Sequence, residues 1–201
     1  PAGKLESHGK MDKFENIAGK LGFNIMDLSG GVIVDDFDND GFKDIMVSSW
    51  GLNDQIRFYK NMGDGRFEDH TQAAGLIGLT GGLNLKQADY NNDGNLDFFI
   101  MRGSWKKFLR HGIQPNSLIR NNGDGTFSDV TIQAGLYTVR PTQTAEFFDY
   151  NNDGLLDLFV GNETVPGGET FPCEFYVNKG DGTFTNVATK YRMDVVAFVK
   201  G

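Results

Sequence analysis

The 201-residue chain has one cysteine and three histidines. Cys173 on its own cannot close an internal disulfide, so oxidative crosslinks do not hold this fold together. It stands between Pro172 and Glu174 with no histidine motif beside it, and nothing marks it as a nucleophile. His8, His70 and His111 fall in unrelated contexts, which argues against a transition-metal centre or a catalytic dyad among them. No run of 18 apolar residues occurs, so the sequence predicts no membrane span. The opening Pro-Ala-Gly-Lys lacks the apolar stretch of a signal peptide, so an exported form would carry that signal upstream or have lost it. Positive charge is also short: 19 Lys and Arg against 27 Asp and Glu give a net charge of −8, which argues against nucleic acid as a partner.

The acidic residues are not scattered. They gather in three copies of one loop: Asp36-Phe-Asp38-Asn-Asp40-Gly41-Phe42-Lys-Asp44, Asp89-Tyr-Asn91-Asn-Asp93-Gly94-Asn95-Leu-Asp97 and Asp149-Tyr-Asn151-Asn-Asp153-Gly154-Leu155-Leu-Asp157. Side-chain oxygens at loop positions 1, 3, 5 and 9, a main-chain carbonyl at position 7 and a glycine for the sharp turn at position 6 are what a hard cation of Ca²⁺ size requires. The spacing therefore predicts three Ca²⁺ sites. Three such ions would add about +6 and leave the chain near −2, so the metal sites account for most of the acidity. Asn91 and Asn151 replace an aspartate at position 3, and their sites are expected to bind more weakly than the first.

An EF-hand needs a bidentate Glu at position 12 and a helix on each side. Position 12 is Val47, Ile100 or Val160, and the runs 44–47, 97–100 and 157–160 are short and apolar in the manner of buried strands. The loops thus join strand to strand. A second motif keeps step with them: Asn61-Met-Gly63-Asp64-Gly65-Arg-Phe67, Asn121-Asn-Gly123-Asp124-Gly125-Thr-Phe127 and Asn178-Lys-Gly180-Asp181-Gly182-Thr-Phe184. Gly-Asp-Gly supplies the positive φ angles of a tight hairpin. Acidic loops recur at separations of 53 and 60 residues and hairpins at 60 and 57, the size of a four-stranded propeller blade.

The predicted fold is all-β: blades of four antiparallel strands, about three of them complete, with a partial blade at each end. The divisions are a partial blade over 1–23, blades over 24–77, 78–136 and 137–192, and the start of another over 193–201. Phe14 to Phe23 reads as a fourth strand with its exit turn, and Asp194 to Lys200 as an unfinished inner strand. Further blades, or another copy of the chain, would have to cover the open ends.

The pairing of Asp-x-Asp/Asn-x-Asp-Gly-x-x-Asp with Asn-x-Gly-Asp-Gly-x-Phe resembles the FG-GAP/VCBS repeat family. The phrase at 121–136 is similar to the subgroup found with ASPIC/UnbV domains. The resemblance covers nearly the whole chain. It implies a Ca²⁺-loaded β-propeller related to the head of integrin α chains and to secreted bacterial adhesion and polysaccharide-binding proteins. That points to an extracellular, cell-surface or periplasmic protein.

In an antiparallel blade both repeated motifs fall on one edge. The opposite edge carries the connections that differ between repeats, 48–54, 102–116 and 162–172, where a rigid frame would present binding residues. Trp50, Trp105, Lys106, Lys107, Arg110 and His111 are the candidate contacts for a protein or glycan. Two other readings stand beside this one. A propeller-based polysaccharide lyase or hydrolase would use Lys106, Arg110 and His111, or Glu163 with Glu169, as its working groups. An assembly module would use the open blade faces.

Overall fold

The computed structural model describes residues 15–23, 27, 29–103, 114–164 and 170–196. Among the described residues twelve strands form three separate antiparallel sheets, each a meander in chain order. The first holds β1 (Ser29–Asp35), β2 (Asp44–Ser49), β3 (Arg57–Asn61) and β4 (Phe67–Asp69). The second holds β5 (Asn84–Ala88), β6 (Asp97–Met101), β7 (Ser117–Asn121) and β8 (Phe127–Asp129). The third holds β9 (Thr142–Phe148), β10 (Asp157–Asn162), β11 (Glu174–Asn178) and β12 (Phe184–Asn186).

Register repeats from sheet to sheet. Asp44, Asp97 and Asp157 open the second strands opposite Asp35, Ala88 and Phe148. Asn61, Asn121 and Asn178 close the third strands opposite Phe67, Phe127 and Phe184. Each acidic loop therefore joins strands one and two of its sheet, and each Gly-Asp-Gly turn joins strands three and four.

The sheets stack through their faces, and alternation along β6 divides the core in two. Phe98 and Ile100 pack toward the first sheet with Ile33, Met46 and Phe58, while Phe99 and Met101 pack toward the third with Phe147, Leu158 and Val160. All of β6 is buried, as a strand covered on both faces must be. Phe127 meets Phe58 and Phe98 edge to face at centroid distances of 5.8 and 5.5 Å. Such pairs contribute about 0.5–1.5 kcal/mol each beyond the area they bury.

At their starts β1 and β5 approach backbone to backbone. A Cβ at Gly31 would lie 2.6 Å from the Leu85 nitrogen, so only glycine fits there. The Ser48 hydroxyl ties this contact, accepting from Gly31 N–H at 2.9 Å and donating to the Gly82 carbonyl at 2.9 Å.

Turns after the fourth strands knit each sheet to the next. Thr71 and Thr131 take their backbone N–H to Asp69 and Asp129, both at 3.0 Å, while their hydroxyls accept from Phe58 and Leu118 N–H. The carbonyls of Ala74 and Ala134 then accept from Phe127 N–H at 3.0 Å and Phe184 N–H at 2.9 Å in the following sheet.

Sequence reading and structure part at both ends. In place of a strand, residues 15–17 are irregular and Ala18–Leu21 form a 3₁₀ turn, after which Phe23 packs on Tyr59 and Phe67 at 4.9 and 5.2 Å. Phe14 lies outside the described residues. The third turn becomes a four-residue helix, α1 (Ala188–Tyr191), in which Tyr191 and Arg192 stand where the earlier turns have Ala-Gly. Arg192 adopts a left-handed φ of 56°, a conformation that Gly75 and Gly135 reach without strain. Residues 194–196 form no strand, and 197–201 lie outside the described residues.

Candidate metal centre

The three acidic loops are superimposable in their hydrogen bonding. The position-1 carboxylates of Asp36, Asp89 and Asp149 accept from the position-5 N–H at 3.1, 3.0 and 3.2 Å. Their other oxygens accept from the glycine N–H of Gly41, Gly94 and Gly154 at 2.9 Å in each case. The position-5 aspartates, Asp40, Asp93 and Asp153, accept from the N–H of Phe42, Asn95 and Leu155 at 2.9, 2.8 and 2.9 Å. Asn39, Asn92 and Asn152 at position 4 hold φ near +60° (59°, 56° and 60°), so each loop coils tightly. The side chains of Phe42, Asn95 and Leu155 lie over Gly63, Gly123 and Gly180 of the neighbouring hairpins.

Position 9 does a different job from the open rim. Asp44, Asp97 and Asp157 are buried, and each bridges two backbones. One oxygen accepts from the position-2 N–H of Phe37, Tyr90 or Tyr150 at 3.1, 3.3 and 3.1 Å. The other accepts from the N–H of Asn61, Asn121 or Asn178 at 2.8, 2.8 and 2.9 Å. Burial raises all three carboxyls above their ordinary range against the pull of these N–H groups, and Asp97 is pushed up to about 7. Asp149, open to water and ringed by N–H donors, is lowered instead, chiefly by Gly154 N–H.

The loops differ at position 3. In loops 2 and 3 the amide NH₂ of Asn91 and Asn151 donates to Asp93 and Asp153, both at 2.8 Å. In loop 1 the bridging donor comes from β3: Lys60 Nζ sits on Asp38 Oδ2 and on Asp40 Oδ2, the latter at 2.8 Å. Asp36, Asp38 and Asp40 each turn one oxygen to a common point, all within 4.8 Å of one another. The second oxygen of Asp38 is buried without a hydrogen-bond partner. An all-oxygen donor set with a buried, unsatisfied carboxylate oxygen fits a hard divalent cation.

Adjacent loops also touch. Asn39 Nδ2 donates to Asn95 Oδ1 at 3.2 Å, and Asn92 Nδ2 donates to the Gly154 carbonyl at 2.8 Å. Behind the rim, Asn121 Nδ2 donates to the Phe37 carbonyl of loop 1 at 2.7 Å, and Asn178 Nδ2 to the Tyr90 carbonyl of loop 2 at 2.8 Å. The sequence motif marks these asparagines as hairpin residues. Their recurrence at one register is the available sign of the second role, the locking of a hairpin to the preceding acidic loop.

On the opposite edge Trp50 is 51% exposed, as a stacking or docking role needs. Trp105, Lys106, Lys107, Arg110, His111 and Glu169 lie outside the described residues. Glu163 is buried and its Oε2 has no hydrogen-bond partner. A buried polar group here was not foreseen from the sequence. Arg102 reaches the carbonyls of Thr80 (2.8 Å) and Pro115 (2.6 Å) and the Ser117 hydroxyl (2.7 Å), and burial lowers its guanidinium to about 10. Thr142 links Asn116 at 2.7 Å to Asn162 at 2.8 Å, and Asn162 continues to Glu174, which pairs with Arg140 at 3.1 Å.

Three meander sheets, each with an aspartate loop between strands one and two and a glycine hairpin between strands three and four, define a repeat protein. Residues 20–100 and 108–160 match the FG-GAP-like repeat, and the chain belongs to that family. It is also similar to cartilage acidic protein 1 of Xenopus tropicalis, 30% identical over 153 residues. That alignment takes in 76% of this chain and 22% of the relative, so the chain spans about a fifth of that protein's length. Among the described residues no helix is long and apolar enough to cross a membrane.

Proposed function

We propose that this chain is a calcium-stabilised segment of a β-propeller in an exported protein, a non-enzymatic module that engages a protein or glycan through the edge opposite its acidic loops. The observation that carries the reading is the convergence of one carboxylate oxygen each from Asp36, Asp38 and Asp40 in loop 1, where an Asp38 oxygen is also buried and unsatisfied, on a backbone frame that loops 2 and 3 reproduce. Asp36, Asp38, Asp40, the Phe42 carbonyl and Asp44 would hold the first ion. Asp89, Asn91, Asp93, the Asn95 carbonyl and Asp97 would hold the second, and Asp149, Asn151, Asp153, the Leu155 carbonyl and Asp157 the third. Bound Ca²⁺ supplies positive charge that offsets carboxylate repulsion and so favours the folded loops. Membership of a repeat family of binding and structural modules supports the non-enzymatic reading. The exposed Trp50 supports a contact role for the opposite edge.

A thermal melt in excess chelator and again in millimolar Ca²⁺ tests the metal role. The midpoint rises with Ca²⁺ and falls with chelator. An identical midpoint in both sinks it.

A second reading, in which more sheets of the same kind stack on this segment, is favoured by its outer faces. Val32 and Val34 on β1 point away from the core and are exposed. On the third sheet Phe148, Tyr150, Phe175 and Tyr191 form an aromatic cluster outside both core groups, with the Tyr150 and Tyr191 hydroxyls 3.0 Å apart. Light scattering checks whether a second copy covers these faces. A strict monomer at all concentrations leaves the role to further sheets of the same polypeptide.

A further inference from the structure

Lys60 sets loop 1 apart. It stands one residue before Asn61 on β3, opposite Glu68, and its Nζ bridges Asp38 and Asp40. At the same register the second sheet has Arg120, whose guanidinium turns away to Asn122 Oδ1 at 3.3 Å, and the third has Val177. An ammonium thus sits on the acidic loop that has aspartate, not asparagine, at position 3. Four carboxylates and one ammonium give loop 1 the same local charge as three carboxylates give loops 2 and 3.

We propose that Lys60 is the internal counter-cation of loop 1 and exchanges with the divalent ion. This rests on the calcium reading above and adds a competitor to it. An ammonium held on both Asp38 and Asp40 opposes a divalent cation on the same carboxylates, because the two positive charges would stand within a few ångströms of each other. Binding at loop 1 therefore breaks two charge-assisted hydrogen bonds before the ion gains its own. The flexible four-carbon stem of Lys60 lets the ammonium swing out to water from a position already 21% exposed. Loop 1, the richest in carboxylates, is in this way held to the affinity of its neighbours. The metal-free chain keeps loop 1 folded with a charge of its own.

The amides of Gly41, Gly94 and Gly154 each donate to the first carboxylate of their loop, so an NMR titration of the ¹⁵N-labelled chain with CaCl₂ follows the loops one by one. In Lys60→Met the Gly41 curve moves to at least about tenfold lower Ca²⁺, because neither ammonium contact has to be broken. The Gly94 and Gly154 curves stay in place. Lys60→Arg keeps the charge and leaves Gly41 titrating within a few fold of wild type. In chelator, Lys60→Met melts about 2–4 °C below wild type, because the loop 1 carboxylates then face one another unshielded. Identical Gly41 curves in wild type and Lys60→Met, with all three glycines responding to Ca²⁺, overturn the exchange and leave the calcium reading standing. No response from any glycine at 10-fold millimolar excess overturns both.

Discussion

The two edges of the sheet stack are built on opposite plans. On one, three acidic loops and three hairpins repeat the same hydrogen bonds to within a few tenths of an ångström. On the other, the same three connections are held in three ways: a Ser49–Asp54 contact in the first sheet, the buried Arg102 in the second, and the Asn162–Glu174–Arg140 group in the third. An edge that repeats is constrained by one recurring task, whereas an edge that varies is free to be fitted to a partner. The difference separates an edge held to one bonding pattern from an edge that is not.

The sharpest way to break that comparison is to cut the same bond in each loop. Asp97→Ala strands the buried N–H groups of Tyr90 and Asn121 and should cost about 3–4 kcal/mol in urea unfolding with chelator present. Asp44→Ala and Asp157→Ala should match it within about 1 kcal/mol, and widely unequal costs would show that the loops are not equivalent. Arg102→Met on the variable edge removes the donors to Thr80, Pro115 and Ser117 and should cost about 2–3 kcal/mol. It has no counterpart in the other sheets, and the same measurement should find Arg102→Lys only partly restored, since one ammonium cannot reproduce the planar fork.

Between pH 5 and pH 8 the expected pH dependence comes from the repeating edge. Asp97 has a folded-state pKa raised to about 7, well above its unfolded value, so its stabilising contribution is complete below about pH 4 and is lost as pH rises through 7. Asp44 and Asp157 are shifted the same way. The metal-free chain should therefore lose about 2 kcal/mol between pH 5 and pH 8, while Ca²⁺ holds the ionised form and flattens the profile. A metal-free melting point that climbs over this range would contradict the burial argument. A smaller effect is expected of Asn121→Ala, which breaks the tie between the second hairpin and loop 1 at a cost of about 1–2 kcal/mol. Asn61→Ala should cost less in the same assay, since its amide NH₂ donates to the Lys43 carbonyl of its own loop and, among the described residues, to no preceding loop.

The repeating edge was legible in the sequence because its chemistry is local. Oxygen spacing, the position-6 glycine and the Gly-Asp-Gly turn are readable within nine residues, and they place β1 to β12 in four-stranded units. Burial of Asp44, Asp97 and Asp157 was not legible: position 9 looks like any other rim carboxylate until β3, β7 and β11 bring a backbone N–H against it. Lys60 was hidden for the same reason, since its partners lie 20 and 22 residues away across a strand. The helix α1 was missed because Tyr191 and Arg192 replace the Ala-Gly that signals the earlier turns, and Arg192 reaches the left-handed region without being glycine. On the variable edge the Arg102 group depends on residues from three separate segments, which no short pattern records.

The asparagine contacts between neighbouring rim loops imply a gradient of motion. Loop 2 is clasped from both sides, by Asn39 on one flank and through its own Asn92 on the other, while loops 1 and 3 are each clasped on one flank among the described residues. Amide deuteration should therefore run slowest at Gly94 and faster at Gly41 and Gly154, with the central bend serving as the keystone of the row.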